Sequence, residues 1–180
     1  MKVVFLDIDG VLNSDAWFAR SPPRDWGLDH LDPEAVARVD WLASDPAARI
    51  VISSTWRLVY PLDEIRAMLA ARGLRAPIVD RTPEIPAEFA EGRIRAQEIG
   101  NWLHAQGLRE RRGEGGVESF VILDDLEGFG DLERYCVRTQ FATGLLDEHV
   151  VRATALLVQG ARTAAGACSS GRLRPAYASE

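Results

Sequence analysis

Short apolar runs recur along the chain, and most of them end in polar residues or glycine. Residues 3–6, 50–52, 78–79 and 120–123 are apolar without alternation. Such a run is typical of a strand covered on both faces, as in a parallel sheet. Residues 135–139 show a weaker pattern and are expected to form a fifth strand at an edge of the sheet.

Helical patterns fill the gaps between these runs. Asp32 is a favourable N-cap and Pro33 a favourable first residue for a helix after the first strand. Further helices are predicted over residues 61–72, 95–106 and 145–158, the second of these ending at Gly107. Strands that alternate with helices indicate right-handed β–α–β units. We therefore expect an α/β fold, a three-layer α/β/α, Rossmann-like parallel sheet of about five strands with helices on both faces and little or no cap domain.

One domain is expected over residues 1–159. The segment between the first strand and the first helix, about residues 13–31, is predicted to be irregular and is too short for a separate domain. It is expected to act as a flap, or minimal cap. Residues 160–180 are rich in Gly, Ala and Ser without periodicity, which predicts a mostly disordered tail.

Composition favours a one-domain globular protein and argues against a membrane-spanning one. The chain has 180 residues, 47% of them apolar, which is enough for one domain with its own core. No segment is long and apolar enough to span a bilayer, and the two cysteines lack metal or redox spacing, so we expect a cytoplasmic protein without a membrane partner. The net charge of −6 argues against an extended nucleic-acid surface. Lys2 is the only lysine, so a functional cation elsewhere is expected to be arginine.

Polar side chains follow three of the predicted strands at the point where each strand ends. They are Asp7, Asp9, Ser53, Ser54, Asp124 and Asp125. The carboxyl ends of parallel strands lie along one edge of a sheet, where α/β proteins bind ligands. Carboxylates brought this close repel one another unless a cation neutralises them. Oxygen ligands of this kind suit Mg²⁺, so the pattern predicts a magnesium site.

These residues resemble a known family. The stretch Asp7-Ile8-Asp9-Gly10-Val11-Leu12 is followed by an apolar strand ending in Ser53, a basic residue on a later helix, and Leu123-Asp124-Asp125. In this order and spacing, the motifs resemble those of the haloacid dehalogenase superfamily of phosphotransferases. The resemblance covers residues 3 to about 125.

The resemblance implies a role for each matching residue. Asp7 would be the nucleophile that forms an aspartyl-phosphate, and Asp9 the general acid and base. Ser53 would donate a hydrogen bond to a phosphoryl oxygen, helped by the backbone N–H of Ser54. Arg95, chosen over Arg93, would supply the positive charge of the third motif.

The resemblance also implies a Mg²⁺ site. Its ligands would be the Asp7 carboxylate, the backbone carbonyl of Asp9, and Asp124 or Asp125, which the sequence does not rank. Gly10 lies in the same loop and is expected to line the substrate site.

Some candidate residues allow two interpretations. Ser53 could instead be a capping hydroxyl for the following helix. Arg57 could clamp a second anionic group of the substrate, or pair with Asp63 or Glu64. Trp17, like Trp26, could stack on a base of the substrate or pack the flap onto the body of the domain. These alternatives stay open on the sequence alone.

The leading functional hypothesis is a Mg²⁺-dependent phosphate monoester hydrolase that acts through an aspartyl-phosphate on a phosphorylated small molecule. The expected open site also suits a polynucleotide end, which makes a polynucleotide-end phosphatase the second hypothesis. A third, of another class, is a receiver-like regulatory domain, in which a phosphorylated aspartate is not turned over. A receiver needs a lysine at the end of a late strand, and none follows Lys2.

Overall fold

The computed structural model describes residues 1–22, 27–86, 94–110 and 116–167. Its centre is a sheet of five parallel strands in the order β3-β2-β1-β4-β5. The strands are β1 (Lys2–Leu6), β2 (Ala48–Ile52), β3 (Ile78–Arg81), β4 (Ser119–Asp124) and β5 (Cys136–Arg138). This confirms the predicted α/β fold with its parallel sheet of about five strands.

Helices cover both faces of the sheet, as predicted. They are α1 (Asp15–Arg20), α2 (Pro33–Leu42), α3 (Leu62–Ala71), α4 (Ile94–Glu110) and α5 (Asp147–Ala167). Alternate residues of β1 point to opposite faces: Val4 belongs to the core packed by α2, α3 and α5, whereas Phe5 belongs to the core packed by α4. Since both faces are buried, the strands lack polar alternation, as the sequence pattern indicated.

The central position of β1 determines where the polar strand ends meet. Leu6, the last residue of β1, pairs with Ile52 of β2 on one side and with Leu123 of β4 on the other. The residues that follow these three positions are therefore neighbours at one edge of the sheet.

Three predicted boundaries differ from the structure. The 13–31 segment is not irregular throughout, because it contains α1 and a 3₁₀ helix, Leu28–His30; Ser14 caps α1 by accepting a hydrogen bond from the Trp17 N–H. Helix α4 continues through Gly107, which in a helix interior costs only about 1 kcal/mol relative to Ala. Helix α5 continues to Ala167, so the tail predicted from residue 160 is wrong over residues 160–167, where alanines favour a helix. Residues 168–180 lie outside the described residues.

No helix among the described residues is long and apolar enough to cross a membrane. 

A buried carboxylate fastens α2 to the segment after α3. Asp40 is 8% exposed, and its Oδ1 accepts hydrogen bonds from the backbone N–H groups of Arg75 (2.7 Å) and Ala76 (3.0 Å). Its Oδ2 accepts two more from the Arg75 guanidinium, at 2.9 and 2.7 Å. Burial would raise the pKa of Asp40, but the hydrogen bonds and charge of Arg75 outweigh it and lower the pKa.

Replacing this carboxylate tests the role of the contact. At neutral pH, Asp40→Ala should lower the free energy of unfolding by about 1–3 kcal/mol, because a buried carboxylate with four hydrogen bonds is lost and two partly buried N–H groups lose their acceptor. Because the pKa of Asp40 is lowered in the fold, the charge-dependent part of the stabilisation is present above the unfolded pKa and lost as the pH falls through the folded pKa. Urea unfolding at several pH values measures both effects.

The matched control is Asp147→Ala, which removes an exposed carboxylate 2.6 Å from Arg38. Exposed ion pairs contribute about 0–1 kcal/mol, so this change should be much milder. Equal effects of the two substitutions would contradict the importance of the Asp40 contact.

Candidate active site

Three carboxylates meet at the carboxyl edge of the sheet. Asp7, Asp124 and Asp125 each offer an oxygen atom, and these atoms lie within 4.8 Å of one another. The Asp7 N–H donates to the Leu123 carbonyl at 3.0 Å, which extends the pairing of β1 and β4 up to this point. Asp7 is 3% exposed and Asp124 fully buried, so water does not screen their charges.

One arginine contacts two of these carboxylates. Arg95 lies in the first turn of α4, and its Nη1 is 3.0 Å from Asp7 Oδ2 and 3.0 Å from Asp124 Oδ2. Burial alone would lower the pKa of Arg95, but the charges of Asp7 and Asp124 outweigh it and raise the pKa. The guanidinium is therefore a fixed positive charge at the cluster. Arg93, the alternative candidate, lies outside the described residues.

The cluster carries more negative charge than Arg95 balances. Burial and the neighbouring charge of Asp7 raise the pKa of Asp124 to about 7. The same two causes raise the pKa of Asp125. Three convergent carboxylates with unbalanced charge match the hard oxygen ligands that Mg²⁺ prefers. The residues present therefore fit a magnesium ion.

Asp9 lies beside this cluster and is held by two side chains of its own. Its Oδ1 accepts a hydrogen bond from Asn13 Nδ2 at 2.7 Å. The indole Nε1–H of Trp56 donates to both carboxylate oxygens, at 3.1 and 3.0 Å. The sequence interpretation gave neither Asn13 nor Trp56 a role, and the Trp56 contact joins residues 47 positions apart, which no spacing in the sequence indicates.

Gly10 is needed for the close approach of Asp125. Its φ of +71° lies in the left-handed region, and a Cβ at this position would overlap the Asp125 carboxylate. The Gly10 carbonyl accepts a hydrogen bond from Thr139 Oγ1 at 2.7 Å, which ties the loop to the end of β5. The contact that explains this glycine is thus with a candidate metal ligand.

Ser53 and Ser54 differ in their contacts. The Ser53 side chain is fully buried at the end of β2, and its Oγ has no hydrogen-bond partner among the described residues. The Ser54 Oγ accepts a hydrogen bond from the Trp56 N–H at 3.3 Å and caps the 3₁₀ helix Thr55–Leu58. The capping interpretation of Ser53 is therefore wrong, because its hydroxyl contacts no backbone N–H among the described residues.

Arg57 supports the segment that follows β2. It is 4% exposed and forms an ion pair with Glu98 of α4, so the predicted pairing with Asp63 or Glu64 is wrong. Its guanidinium also donates to the carbonyls of Ser53 (3.2 Å) and Ser54 (2.7 Å). Burial lowers the pKa of Arg57, and the charge of Glu98 partly offsets this. Since protein acceptors take up these donors, we assign Arg57 to loop support instead of direct substrate binding.

Trp17 makes its contacts within the flap. Its indole Nε1–H donates to the Asp29 carbonyl at 3.3 Å, and the Arg20 guanidinium lies 5.9 Å from the ring centroid. Both partners belong to the flap itself, so these contacts do not decide between packing onto the body of the domain and stacking on a substrate base. Trp26 lies outside the described residues.

A cleft of about 440 Å³ opens beside Arg95. Its described lining combines apolar side chains with carboxylates, among them Leu58, Glu84, Ile94, Leu126 and Phe129. Three of these apolar residues are themselves partly exposed, namely Leu58, Ile94 and Leu126. The cleft offers space for the organic part of a substrate next to the charged cluster.

The fold and the acidic cluster at the end of β1 define a haloacid-dehalogenase-type domain. A family model described as "HAD domain in Swiss Army Knife RNA repair proteins" matches residues 3–150, and the chain belongs to this family. Comparison with curated proteins and with solved structures finds no match.

Magnesium should stabilise the protein by relieving the repulsion in the cluster. At about a hundred times its dissociation constant, the ion should raise the free energy of unfolding by about 2.7 kcal/mol. Because the pKa of Asp124 is raised to about 7, this gain should shrink as the pH falls below 7 and a proton competes for the carboxylate. Urea unfolding with Mg²⁺ and with a chelator measures the gain.

Asp125→Asn should reduce the magnesium gain, whereas Asp131→Asn, a change at an exposed residue, should leave it intact. Without the ion, the raised pKa of Asp124 means that this carboxyl binds its proton more tightly in the fold than in the unfolded chain, so the contribution of Asp124 to stability should fall as the pH rises from about 4 to about 7. An unfolding curve that Mg²⁺ does not move at any pH would contradict the metal site.

Proposed function

We propose that the chain is a Mg²⁺-dependent phosphate monoester hydrolase that acts through an aspartyl-phosphate. The observation that carries the proposal is the meeting of Asp7, Asp124 and Asp125 beside Arg95. The family supports a hydrolase of the haloacid dehalogenase type. The proposed catalytic domain is a single one, with the 13–31 segment as its flap.

In the first half of the proposed reaction, an Asp7 carboxylate oxygen attacks the phosphorus atom. The bond from phosphorus to the leaving oxygen breaks, and Asp9 gives that oxygen a proton, so the products are the alcohol and phosphorylated Asp7. In the second half, water attacks the phosphorus while Asp9 takes up its proton. Inorganic phosphate leaves, and Asp7 and Asp9 return to their starting states.

The surrounding groups stabilise the charge of the phosphoryl group. Ser53 Oγ, which has no other partner among the described residues, donates to one phosphoryl oxygen, and the Ser54 N–H assists. Arg95 keeps its positive charge next to Asp7. Asp7, Asp124, Asp125 and the Asp9 carbonyl would hold Mg²⁺, which supplies further positive charge where the attacking carboxylate meets the phosphate.

The receiver-like alternative has less support. Lys2, the only lysine, begins β1 and forms an ion pair with Asp45 at 2.6 Å. It therefore lies at the opposite end of β1 from Asp7. The cation beside Asp7 is Arg95, which comes from a helix and not from the end of a late strand.

Replacing the nucleophile is the first test. Asp7→Asn should lower phosphate release from an aryl phosphate at least about a thousandfold, because an amide does not form the covalent intermediate. Asp63→Asn, which changes an exposed aspartate of α3, should keep wild-type activity. Circular dichroism of both variants confirms that they are folded. Equal activity of Asp7→Asn and wild type would refute the assignment, and a phospho-aspartate that persists without turnover would favour the receiver.

For the substrate, we propose the terminal phosphate of a polynucleotide. The matched family is described as a domain of RNA repair proteins, and the cleft beside Arg95 offers partly exposed apolar side chains on which a terminal nucleoside can pack. The net charge of −6 weighs against a long electrostatic contact with the strand. Recognition would thus be confined to the terminal nucleotide and the few nucleotides that adjoin it.

This proposal predicts a preference that kinetics can measure. The kcat/KM for an RNA oligonucleotide with a terminal phosphate should exceed that for the matching mononucleotide by about tenfold, a gain of about 1.4 kcal/mol from the adjoining nucleotides. Salt should weaken this preference only slightly, since few phosphates are neutralised. A higher kcat/KM for the mononucleotide would point to a phosphorylated small molecule.

A further inference from the structure

We propose that Trp56 is a positioning residue that holds the carboxylate of Asp9 for proton transfer to the leaving group. This inference rests on the proposed phosphatase function. Its starting point is the indole Nε1–H of Trp56, which lies 3.1 and 3.0 Å from the two Asp9 carboxylate oxygens. The contact joins residues 47 positions apart, so it is formed by the fold and not by local sequence.

The Trp56 ring is held firmly enough to act in this way. It is 6% exposed and packs near two other rings, with centroid distances of 5.5 Å to Tyr60 and 6.3 Å to His30. The backbone of Trp56 belongs to the 3₁₀ helix Thr55–Leu58, and its N–H donates to Ser54 Oγ. The strand end that presents Ser53 to the phosphate therefore also presents an indole N–H to Asp9.

A second side chain also donates a hydrogen bond to the Asp9 carboxylate. Asn13 Nδ2 donates to Asp9 Oδ1 at 2.7 Å, while Asn13 Oδ1 accepts the Gly10 N–H at 2.9 Å. Asn13 thus anchors Asp9 within its own loop, and Trp56 anchors it to β2. Two donors on different elements determine both the position and the rotation of the carboxylate.

The chemistry of the indole suits this task. An indole N–H donates but does not accept, so it never competes for the proton that Asp9 delivers. The acidic proton of Asp9 must therefore bind a carboxylate lone pair that accepts no hydrogen bond from Trp56 or Asn13. A general acid acts only when its proton is within hydrogen-bond reach of the leaving oxygen, so a carboxylate free to rotate protonates it less effectively.

Trp56→Phe removes the N–H while it keeps an aromatic ring. Protonation of the leaving group matters most when that group is a poor one. Two substrates with different leaving groups therefore distinguish a loss of Asp9 positioning from a general loss of packing. For an alkyl phosphate such as a nucleoside 3′-monophosphate, kcat/KM should fall about tenfold more than for p-nitrophenyl phosphate, whose leaving group needs little protonation. Asp9→Asn should show the same selectivity to a larger degree.

The matched control is Trp102→Phe. Trp102 is 4% exposed, and its Nε1–H donates to Asp80 Oδ2 at 2.7 Å, so this variant loses the same kind of hydrogen bond outside the proposed active site. Its ratio of the two kcat/KM values should equal that of wild type. If Trp56→Phe lowers kcat/KM equally for both substrates, or for neither of them, the positioning role is refuted. If wild type hydrolyses neither substrate, the proposed function itself is wrong, and the positioning role with it.

A spectroscopic readout remains decisive if Trp56→Phe fails to fold. In protein with ¹⁵N-labelled tryptophan, each of the five indoles gives its own N–H signal. Asp9→Asn should shift the Trp56 signal, because a neutral amide replaces its charged acceptor, and should leave that of Trp102 in place. An unmoved Trp56 signal would show that the contact is absent and would overturn the proposal.

Discussion

Repulsion between carboxylates at one edge of the sheet is the constraint on which the site depends. A parallel ladder brings the ends of β1 and β4 together, so the buried carboxylates of Asp7 and Asp124 lie close to each other. Arg95 reaches both, yet burial and the charge of Asp7 still raise the pKa of Asp124 to about 7. Carboxylates that repel one another in this way should gain stability when a divalent cation binds between them.

Contacts with surrounding residues hold the backbone around the acidic cluster in place. Arg57 and Glu98 neutralise each other in the interior, and Arg57 braces the carbonyls of Ser53 and Ser54. Gly10 lets Asp125 approach the loop after β1. These contacts fix the backbone around the cluster before any ligand arrives. Preorganisation of this kind makes electrostatic stabilisation effective, because the groups need not rearrange during the reaction.

The sequence was most informative where one physical rule decides the outcome. Apolar runs without polar alternation predicted the parallel sheet. Because the carboxyl ends of parallel strands lie along one edge, the sequence also predicted that Asp7, Ser53 and Asp124 would lie close together. The choice of Arg95 came from family resemblance; its contact with Asp7 depends on how α4 crosses the sheet. Arg57–Glu98 and Trp56–Asp9 were missed, because such partners are set by tertiary packing and not by spacing along the chain. The predicted ends of α4 at Gly107 and of α5 near residue 160 were wrong. A glycine, or a segment rich in Gly, Ala and Ser, only weakly indicates where a helix ends.

The most direct test of the central claim is the position of a bound metal ion. Crystals grown with Mn²⁺, which prefers the same oxygen ligands as Mg²⁺ and scatters X-rays anomalously, reveal that position. We expect an anomalous peak within about 2–2.5 Å of Asp7 and of at least one of Asp124 and Asp125, with Arg95 beside it. A cluster without such a peak at saturating Mn²⁺, or an ion held elsewhere without Asp7, would contradict the account.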